Sequence, residues 1–512
     1  MPEAFARNTY LGFTSGAAVA LAGFIGSAIA ARLLGPEGMG VIAYVVWCVT
    51  VATTIAGLGI GMVQQRFVPS LRAEGKNDET EGLIGATTRL AILAAIVGGL
   101  LLFCWLYWPG SSAIETHSGA PLIVLIGLVL AWFVCWRMAD VYLNYLKGEQ
   151  RFGEFARLSA SSAVLKLVVM GLGAWLFGVA GALAGYVAGY VLPASRVWKL
   201  LRNKPSVGQQ LRRQVMGFAL ASWAAGVIAG LAFGRTEIVF LERYAGIGAV
   251  GLFAAAAMLT DTMMLLTPLL LSALLPYFSE QHGLGAHDHL HRLYRTATGL
   301  VALLVAPLCV GIAASAPVLM PFVFGAEFAD AAPVASVLLI AAAVCLPGVV
   351  TAYLIYSTGK IGLLLISNGV GLAGTIALGF VLIPHYGLMG AAWSRAIVLV
   401  SVVAIETWYV TRRLGFAPPY RALGAITIAA ALEGSVAFAL ITAFGGIISL
   451  VLAIPASVVV YAVALRTLAV LPMVDPELVD ALTAHAPRRM RRVLSWILKL
   501  VSPAPKGHSL PE

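Results

Sequence analysis

Charged residues are scarce in this chain. Only 11 % of its 512 residues are Asp, Glu, Lys or Arg, whereas 60 % are hydrophobic and the mean hydropathy is +0.92. Soluble domains carry about 25 % charged residues, so the composition excludes an ordinary soluble protein. The apolar runs also lack the period-two alternation of barrel strands. The sequence therefore predicts an all-α polytopic membrane protein.

Cysteine and long hydrophilic loops are lacking too. The chain has five cysteines, without a Cys-x-x-Cys pair or a Cys/His spacing, so we predict neither a disulfide framework nor a cofactor. Histidines at 282, 287, 289 and 291 share one loop, but no cysteine or paired carboxylate accompanies them, and no metal site is predicted. No loop is long enough for a catalytic domain, which argues against a membrane enzyme.

Apolar windows of about 20 residues or more follow one another along the chain, and each can cross a hydrocarbon core of about 30 Å as a helix. We predict fourteen transmembrane helices, at residues 9–32, 41–65, 83–108, 119–146, 157–177, 180–200, 215–236, 246–275, 293–315, 331–357, 361–383, 388–411, 422–444 and 446–468.

The loops differ in their basic residues according to side. Those near 109–118, 316–330, 384–387 and 444–446 contain no Lys or Arg, whereas the alternate loops are rich in both. The positive-inside rule therefore predicts that both termini are cytoplasmic. The net charge of +10 then marks cytoplasmic membrane edges, which favours contact with membrane lipids and not with nucleic acid.

A repeat divides the chain. The stretch "YLNYLKG" at 142–148 returns as "YLIYSTG" at 353–359, 211 residues later. The same shift places Arg32, Gly35 and Gly40 on Arg243, Gly246 and Gly251, and a shift of 209 places Gly178 on Gly387. We predict two six-helix pseudo-repeats, at 1–210 and 211–420. Two additional helices follow at 421–470, and then a basic amphipathic cytoplasmic tail at 471–512.

An even number of spans in each repeat makes the two repeats parallel. Two similar bundles that face each other enclose a cleft, and rocking one against the other exposes that cleft to each side in turn. The arrangement predicts an alternating-access transporter. A duplicated scaffold without a transport role is the other interpretation.

The glycine-rich stretches "ARLLGPEGMGVIAYV" at 31–45 and "PVLMPFVFGAEFADAAPVASVLLI" at 317–340, together with the two halves, carry a family resemblance. They resemble the polysaccharide-transport branch of the multidrug/oligosaccharidyl-lipid/polysaccharide exporter superfamily, which includes the Wzx-type flippases. The resemblance implies a multi-pass protein of the cell inner membrane. Such a protein moves a polyprenyl-diphosphate-linked oligosaccharide from the cytoplasmic to the periplasmic leaflet.

The same resemblance implies a role in cell-surface polysaccharide biosynthesis, with lipopolysaccharide O-antigen or exopolysaccharide as the product. The implied partners are the lipid-linked oligosaccharide, membrane lipids, a coupling cation (H⁺ or Na⁺) and a polysaccharide polymerase or export protein. A drug or cation antiporter of the same superfamily, which would need an acidic cavity, and a membrane enzyme acting on lipid-linked sugars are the alternatives.

Polar side chains within the spans are the candidate substrate-binding residues. Arg137, Asp140 and Asn144 lie on one helical face at i, i+3 and i+7. Arg137 and Lys166 would bind a diphosphate, and Asp140 would orient Arg137. The alternative is an internal Arg137–Asp140 pair with Lys166 reaching the interface. Arg89 would attract the diphosphate at entry, or would anchor its helix to the cytoplasmic membrane edge.

Three further charges lie in later spans. Arg395 is a further candidate for substrate binding. Arg395 and Glu406 are eleven residues apart and share a helical face, so a gate or a salt bridge is the other interpretation. Asp261 and Glu406 are candidates for ion coupling, since an intramembrane carboxylate can take a proton or Na⁺. A hydrogen-bonded structural role for Asp261 is the alternative.

Overall fold

The computed structural model of the protein describes residues 2–107, 119–271 and 274–468. The amphipathic tail predicted at 471–512 lies outside the described residues. Within the described residues the regular structure is entirely helical, so the prediction of an all-α polytopic membrane protein is confirmed.

The α-helices are α1 (Pro2–Ile55), α2 (Ile60–Ala73), α3 (Asn77–Tyr107), α4 (Leu122–Gly148), α5 (Phe152–Ala194), α6 (Gln209–Phe233), α7 (Glu237–Ala245), α8 (Ile247–Leu271), α9 (Leu274–Gly283), α10 (His287–Phe324), α11 (Ala332–Cys345), α12 (Val349–Ser357), α13 (Ile361–Arg413), α14 (Tyr420–Phe444) and α15 (Gly446–Thr467). Short 3₁₀ helices occupy Val197–Arg202, Ala326–Ala331 and Leu346–Gly348.

Eleven stretches of the described chain are long and apolar enough to cross a membrane. Three of them contain a glycine with positive φ that interrupts the helix: Gly35 in α1 (φ 67°), Gly178 in α5 (60°) and Gly387 in α13 (51°). Glycine adopts this conformation without the steric cost that a side chain would add. Each of the three glycines lies between two windows that the sequence predicts as separate spans.

The outer surface of these helices suits hydrocarbon. Large apolar side chains are exposed along several spans; Trp175 and Phe177, for example, are each 71 % exposed. Exposure of so much apolar surface to water would be unfavourable, whereas lipid tails solvate it. The chain is therefore a multi-pass integral membrane protein.

The chain forms two compact units. The first unit comprises Met1–Ala255 with Leu372–Ala391, and the second comprises Ala256–Gly371 with Ala392–Glu512. In the first unit α5 packs along both α1 and α4, and in the second α14 packs along both α10 and α15. The division into repeats at residue 210 stays a prediction.

The second predicted span is broken in its interior. Helix α1 ends at Ile55 and α2 begins at Ile60, with positive φ at Leu58 (48°) and Gly59 (68°). Helix α6 packs against the break and satisfies part of its backbone. The Trp223 indole N–H donates to the Ile55 carbonyl over 2.8 Å, and Gly59 packs on the Ala219 backbone. A membrane span tolerates a broken helix only where neighbouring groups satisfy its backbone.

Side chains of neighbouring helices also replace the hydrogen bonds that two prolines remove from α10. Proline lacks an N–H, so Pro307 and Pro317 leave the carbonyls of residues 303 and 313 without their helical donors. The Tyr461 hydroxyl of α15 donates to the Leu303 carbonyl, and the Ser336 hydroxyl of α11 donates to the Ala313 carbonyl, each over 2.8 Å. These hydroxyls link the neighbouring helices of the second unit.

Candidate functional site

A polar network joins α4 to α2 within the first unit. The Arg137 guanidinium donates through Nη1 to Asp140 Oδ2 over 3.0 Å, and the Asn144 amide donates to Asp140 Oδ1 over 2.8 Å. From α2, the Gln65 amide donates to Asn144 Oδ1 over 2.9 Å. The helical spacing that predicted one polar face on α4 therefore places Asp140 in direct contact with both Arg137 and Asn144.

Gly61 makes the close approach of α2 to this network possible. A Cβ at that position would lie 2.6 Å from Asn144 Nδ2. Only glycine leaves room for the amide, so the break before α2 and the absent side chain act together to bring α2 against α4.

The two charges of the pair differ in exposure. The Arg137 side chain is 1 % exposed, whereas that of Asp140 is 39 % exposed. In the part of the chain that the structure describes, Arg137 Nε and Nη2 have no hydrogen-bond partner. These two nitrogens form the edge of a guanidinium that pairs with two oxygens of a phosphate or carboxylate. That edge is therefore available to an anion once it is uncovered.

Lys166 lies on α5 and is placed by an aromatic side chain. Its ammonium is 3.9 Å from the centroid of the Tyr186 ring, a cation–π contact, and its methylenes pack on Gly189. Tyr186 in turn contacts Trp132 of α4, with ring centroids 4.4 Å apart. Trp132 precedes Arg137 by five residues, so Lys166 and Arg137 flank neighbouring parts of the same helix pair.

Arg89 occupies a different environment. Its guanidinium donates to the backbone carbonyls of Gly85, Leu201 and Asn203 at 2.8 to 3.1 Å. Two of those carbonyls lie at the end of the 3₁₀ helix Val197–Arg202. Arg89 therefore ties α3 to that helix.

The second unit holds the remaining predicted residues. Glu406 is buried and its Oε1 accepts a hydrogen bond from the Ser367 hydroxyl over 2.8 Å; both residues belong to α13. Arg395 is also buried, and Asp261 is partly exposed on α8. The structure does not bring these residues into the α2–α4 network.

Several residues that make polar or close contacts in the two units were missed in the sequence. Gln64 and Gln65 are two consecutive amides at the end of a predicted span, and Gln64 donates to the Thr87 hydroxyl over 3.3 Å. That pair of amides was the available signal. Ser367 and Gly61 offered no signal, since a single serine or glycine in an apolar run is commonplace.

The first half of the chain matches a known protein family. Residues 5–282 match a family model described as polysaccharide biosynthesis protein.

The succinoglycan biosynthesis transport protein ExoT of Rhizobium meliloti is 24 % identical over 63 % of this chain and 63 % of its own length. Stage V sporulation protein B of Bacillus subtilis is 22 % identical over 54 % of this chain and 58 % of its own length. The chain thus spans less than two thirds of the length of these two relatives. A probable low-salt glycan biosynthesis flippase of Haloferax volcanii is 22 % identical over 82 % of this chain and 87 % of its own length.

Solved structures share the fold. The lipid II flippase MurJ in an inward closed conformation superposes with a TM-score of 0.66 at 13 % identity, over 89 % of this chain and 97 % of that chain. An inward-facing multidrug resistance MATE transporter of the MOP superfamily superposes with a TM-score of 0.65 at 16 % identity, over 76 % of this chain and 93 % of that chain. At these identities the similarity establishes the architecture alone.

Proposed function

Because the chain belongs to the polysaccharide biosynthesis protein family, we propose that it flips a polyprenyl-diphosphate-linked oligosaccharide from the cytoplasmic to the outer leaflet of the inner membrane by alternating access. Membership confirms the resemblance to the polysaccharide-transport branch of the superfamily. The proposed role is in the export of a cell-surface polysaccharide, and the protein is a transporter and not an enzyme.

The observation that carries this proposal is the unpaired edge of Arg137. A buried guanidinium with two unused donors is unfavourable unless a ligand or water uses them in another state. A diphosphate offers the oxygen pair that this edge fits, and Asp140 holds the opposite nitrogen so that the edge keeps its direction.

Lys166 supplies the second positive charge. Its ammonium rests on the Tyr186 ring, a contact that it can exchange for a phosphate oxygen without leaving a buried anion behind. Arg89 would attract the diphosphate as it enters, and Arg395 would contact the substrate later in its path or act as a gate. Asp261 and Glu406 are the candidates for coupling to H⁺ or Na⁺, and a polysaccharide polymerase or export protein would take the product.

The backbone supports fourteen crossings and two parallel repeats. Gly35 and Gly246, aligned by the 211-residue shift, have φ/ψ of 67°/−175° and 85°/168°. Gly178 and Gly387, aligned by the shift of 209, have 60°/−138° and 51°/−125°. Unrelated turns would not be expected to share both angles. The glycines at 35, 178 and 387 divide three long helices into pairs of spans. The resulting even number of crossings leaves both termini on one side of the membrane, and the basic loops favour the cytoplasmic side.

A reciprocal pair of contacts in the first unit also supports the two proposed repeats. Gly40 packs on the Ile247 carbonyl and its aligned partner Gly251 packs on the Pro36 carbonyl. Applying the 211-residue shift to one contact gives the other. Such reciprocity is typical of an interface related by a twofold axis, which is the relation that we propose for the two repeats.

The experiment replaces Arg137 or Lys166 with Ala in cells that depend on this chain for glycan export. Both variants should remain in the membrane and lose export. Arg157→Ala is the matched control, because Arg157 is exposed and contacts only the Gly153 carbonyl through its guanidinium in the described residues. Normal export by both Arg137→Ala and Lys166→Ala would refute the diphosphate site.

A further inference from the structure

A cavity of about 510 Å³ lies in the first unit beside the break between α1 and α2. Its volume is in the range of small-molecule sites, about 300 to 1,000 Å³. The wall is almost wholly apolar and comes from α1, α3 and α6, with three indole rings, Trp47, Trp105 and Trp223. Such a wall excludes a sugar or a diphosphate and accepts a hydrocarbon chain.

The cavity opens towards lipid along α3. Leu93 and Leu101, which line it, are 58 % and 64 % exposed, and Trp105 is 55 % exposed. A chain can therefore enter sideways from the bilayer. At the other side the ring of Trp223 is fixed by its hydrogen bond to the Ile55 carbonyl, so this part of the wall is preformed.

The cavity and the Arg137 network are neighbours along α4. Gly98 and Ala56 both line the cavity, and a Cβ at Gly98 would lie 2.8 Å from the Phe133 ring and 3.2 Å from Ala56. Phe133 is one helical turn before Arg137 on α4. Further along, Gly61 packs on Asn144. The broken second span therefore runs from the cavity to the polar network.

We propose that this cavity binds the head-proximal isoprenoid segment of the lipid carrier while its diphosphate pairs with Arg137. The inference rests on the proposed function and adds the position of the lipid tail. A broken helix lined by other spans is the usual place for a transporter to hold a substrate. Here the cavity offers an apolar wall for the chain, and Arg137, one turn beyond the Phe133 ring that lies beside the lining residue Gly98, offers a cation for the head.

The test uses a polyprenyl phosphate that carries a diazirine near its phosphate end. The purified protein in nanodiscs is irradiated with this probe, and the labelled peptides are identified by mass spectrometry. We expect adducts within residues 47–58 and 90–105. Unlabelled undecaprenyl phosphate should remove at least four fifths of the labelling, and an equal amount of dioleoylphosphatidylglycerol should not.

Two variants on α3 make the test specific. Ala94→Trp fills the cavity, because Ala94 lines it, and should lower labelling at least fivefold. Ile96→Trp adds the same ring on the lipid-exposed side of the helix, outside the cavity, and should label like the wild type. If Ala94→Trp does not fold, Val97→Trp serves, since Val97 also lines the cavity.

Adducts elsewhere, equal competition by phosphatidylglycerol, or unchanged labelling of the filled variant would each overturn the inference. Glycan export by the wild-type protein is measured in parallel. Export together with adducts elsewhere removes the cavity from the pathway and leaves the proposed function standing. Failure of the wild type to export glycan removes the proposed function. The hydrocarbon chain bound in the cavity can then no longer be assigned to the lipid carrier.

Discussion

At the residue scale, Arg137 combines features that do not serve stability. A guanidinium in a membrane span is costly, and one carboxylate that is itself partly exposed offsets that cost only in part. Two of its nitrogens stay unpaired in the described structure. A residue retained only for packing would be expected to have fuller hydrogen bonding, so the arrangement favours a ligand-binding role.

One variant of Arg137 separates stability from transport. Arg137→Met keeps the side-chain length and removes the charge. We expect its free energy of unfolding to stay within about 1 kcal/mol of that of the wild type, because the Asp140 carboxylate left behind is 39 % exposed and keeps its hydrogen bond from Asn144, while glycan export falls at least tenfold. Thermal unfolding in detergent and export in cells are the two measurements.

Arg137→Lys is the companion variant. It keeps the charge and loses the two-nitrogen edge, so we expect export to stay low. A methionine variant that unfolds more easily and a lysine variant that exports normally would together show that Arg137 is a structural ion pair with Asp140.

At the scale of elements, glycine and proline determine where the helices are interrupted and where their backbone needs an additional hydrogen-bond partner. The sequence predicts separate spans on either side of Gly35, Gly178 and Gly387, and glycine is the residue that accepts the positive φ found at each of them. The break at Leu58 and Gly59 was not predictable, since the residues around it are as apolar as a continuous span. Its position depends on Trp223 and Ala219, more than 150 residues away in the chain.

The hydroxyl of Tyr461 should matter only because Pro307 is present. Tyr461→Phe leaves the Leu303 carbonyl without a donor, and we expect it to lower the free energy of unfolding by about 0.6 to 1.7 kcal/mol. Pro307→Ala supplies a backbone N–H to that carbonyl. In the Pro307→Ala background the same tyrosine change should cost little, as measured by a double-mutant cycle of unfolding in detergent. Equal costs in both backgrounds would contradict the capping role.

The reciprocal contact of Gly40 and Gly251 predicts matched phenotypes. Each glycine meets a backbone carbonyl of the facing helix, so a valine at either position forces the helices apart. Overpacking of this kind costs about 1 to 3 kcal/mol, and we expect glycan export to fall at least tenfold in both variants. Gly127→Val is the control, because no atom lies within 4 Å of a Cβ at that position. Loss in one variant with normal export in the other would argue against a symmetric contact.

At the scale of the whole molecule, hydropathy and the placement of basic residues were sufficient to predict a multi-pass helical protein. Hydropathy depends only on local composition, and each span must be apolar by itself. The extent of the two compact units was beyond that method, because the first unit takes Leu372–Ala391 from far along the chain. The α4 residues of the site were predictable from helical spacing, whereas their α2 partners depend on tertiary packing.

Topology offers a direct check of the predicted fourteen crossings. His385 lies between the windows 361–383 and 388–411, and Lys360 precedes the first of them; both are exposed. In a cysteine-free background, we expect His385→Cys to react with an impermeant maleimide added outside intact cells, and Lys360→Cys to react only after permeabilisation. Reaction of both from one side would mean that α13 does not fold back at Gly387.

The central claim concerns the cargo, and flipping in reconstituted vesicles tests it most directly. Proteoliposomes that contain the purified protein and a polyprenyl-diphosphate-linked oligosaccharide are treated from outside with an impermeant glycosidase. If the account is right, the wild-type protein exposes to the enzyme the fraction of glycan that protein-free vesicles protect, and Arg137→Ala does not. If the inner-leaflet glycan stays protected with active wild-type protein, and the same vesicles transport an organic cation, the protein is an antiporter of small molecules and the account is wrong.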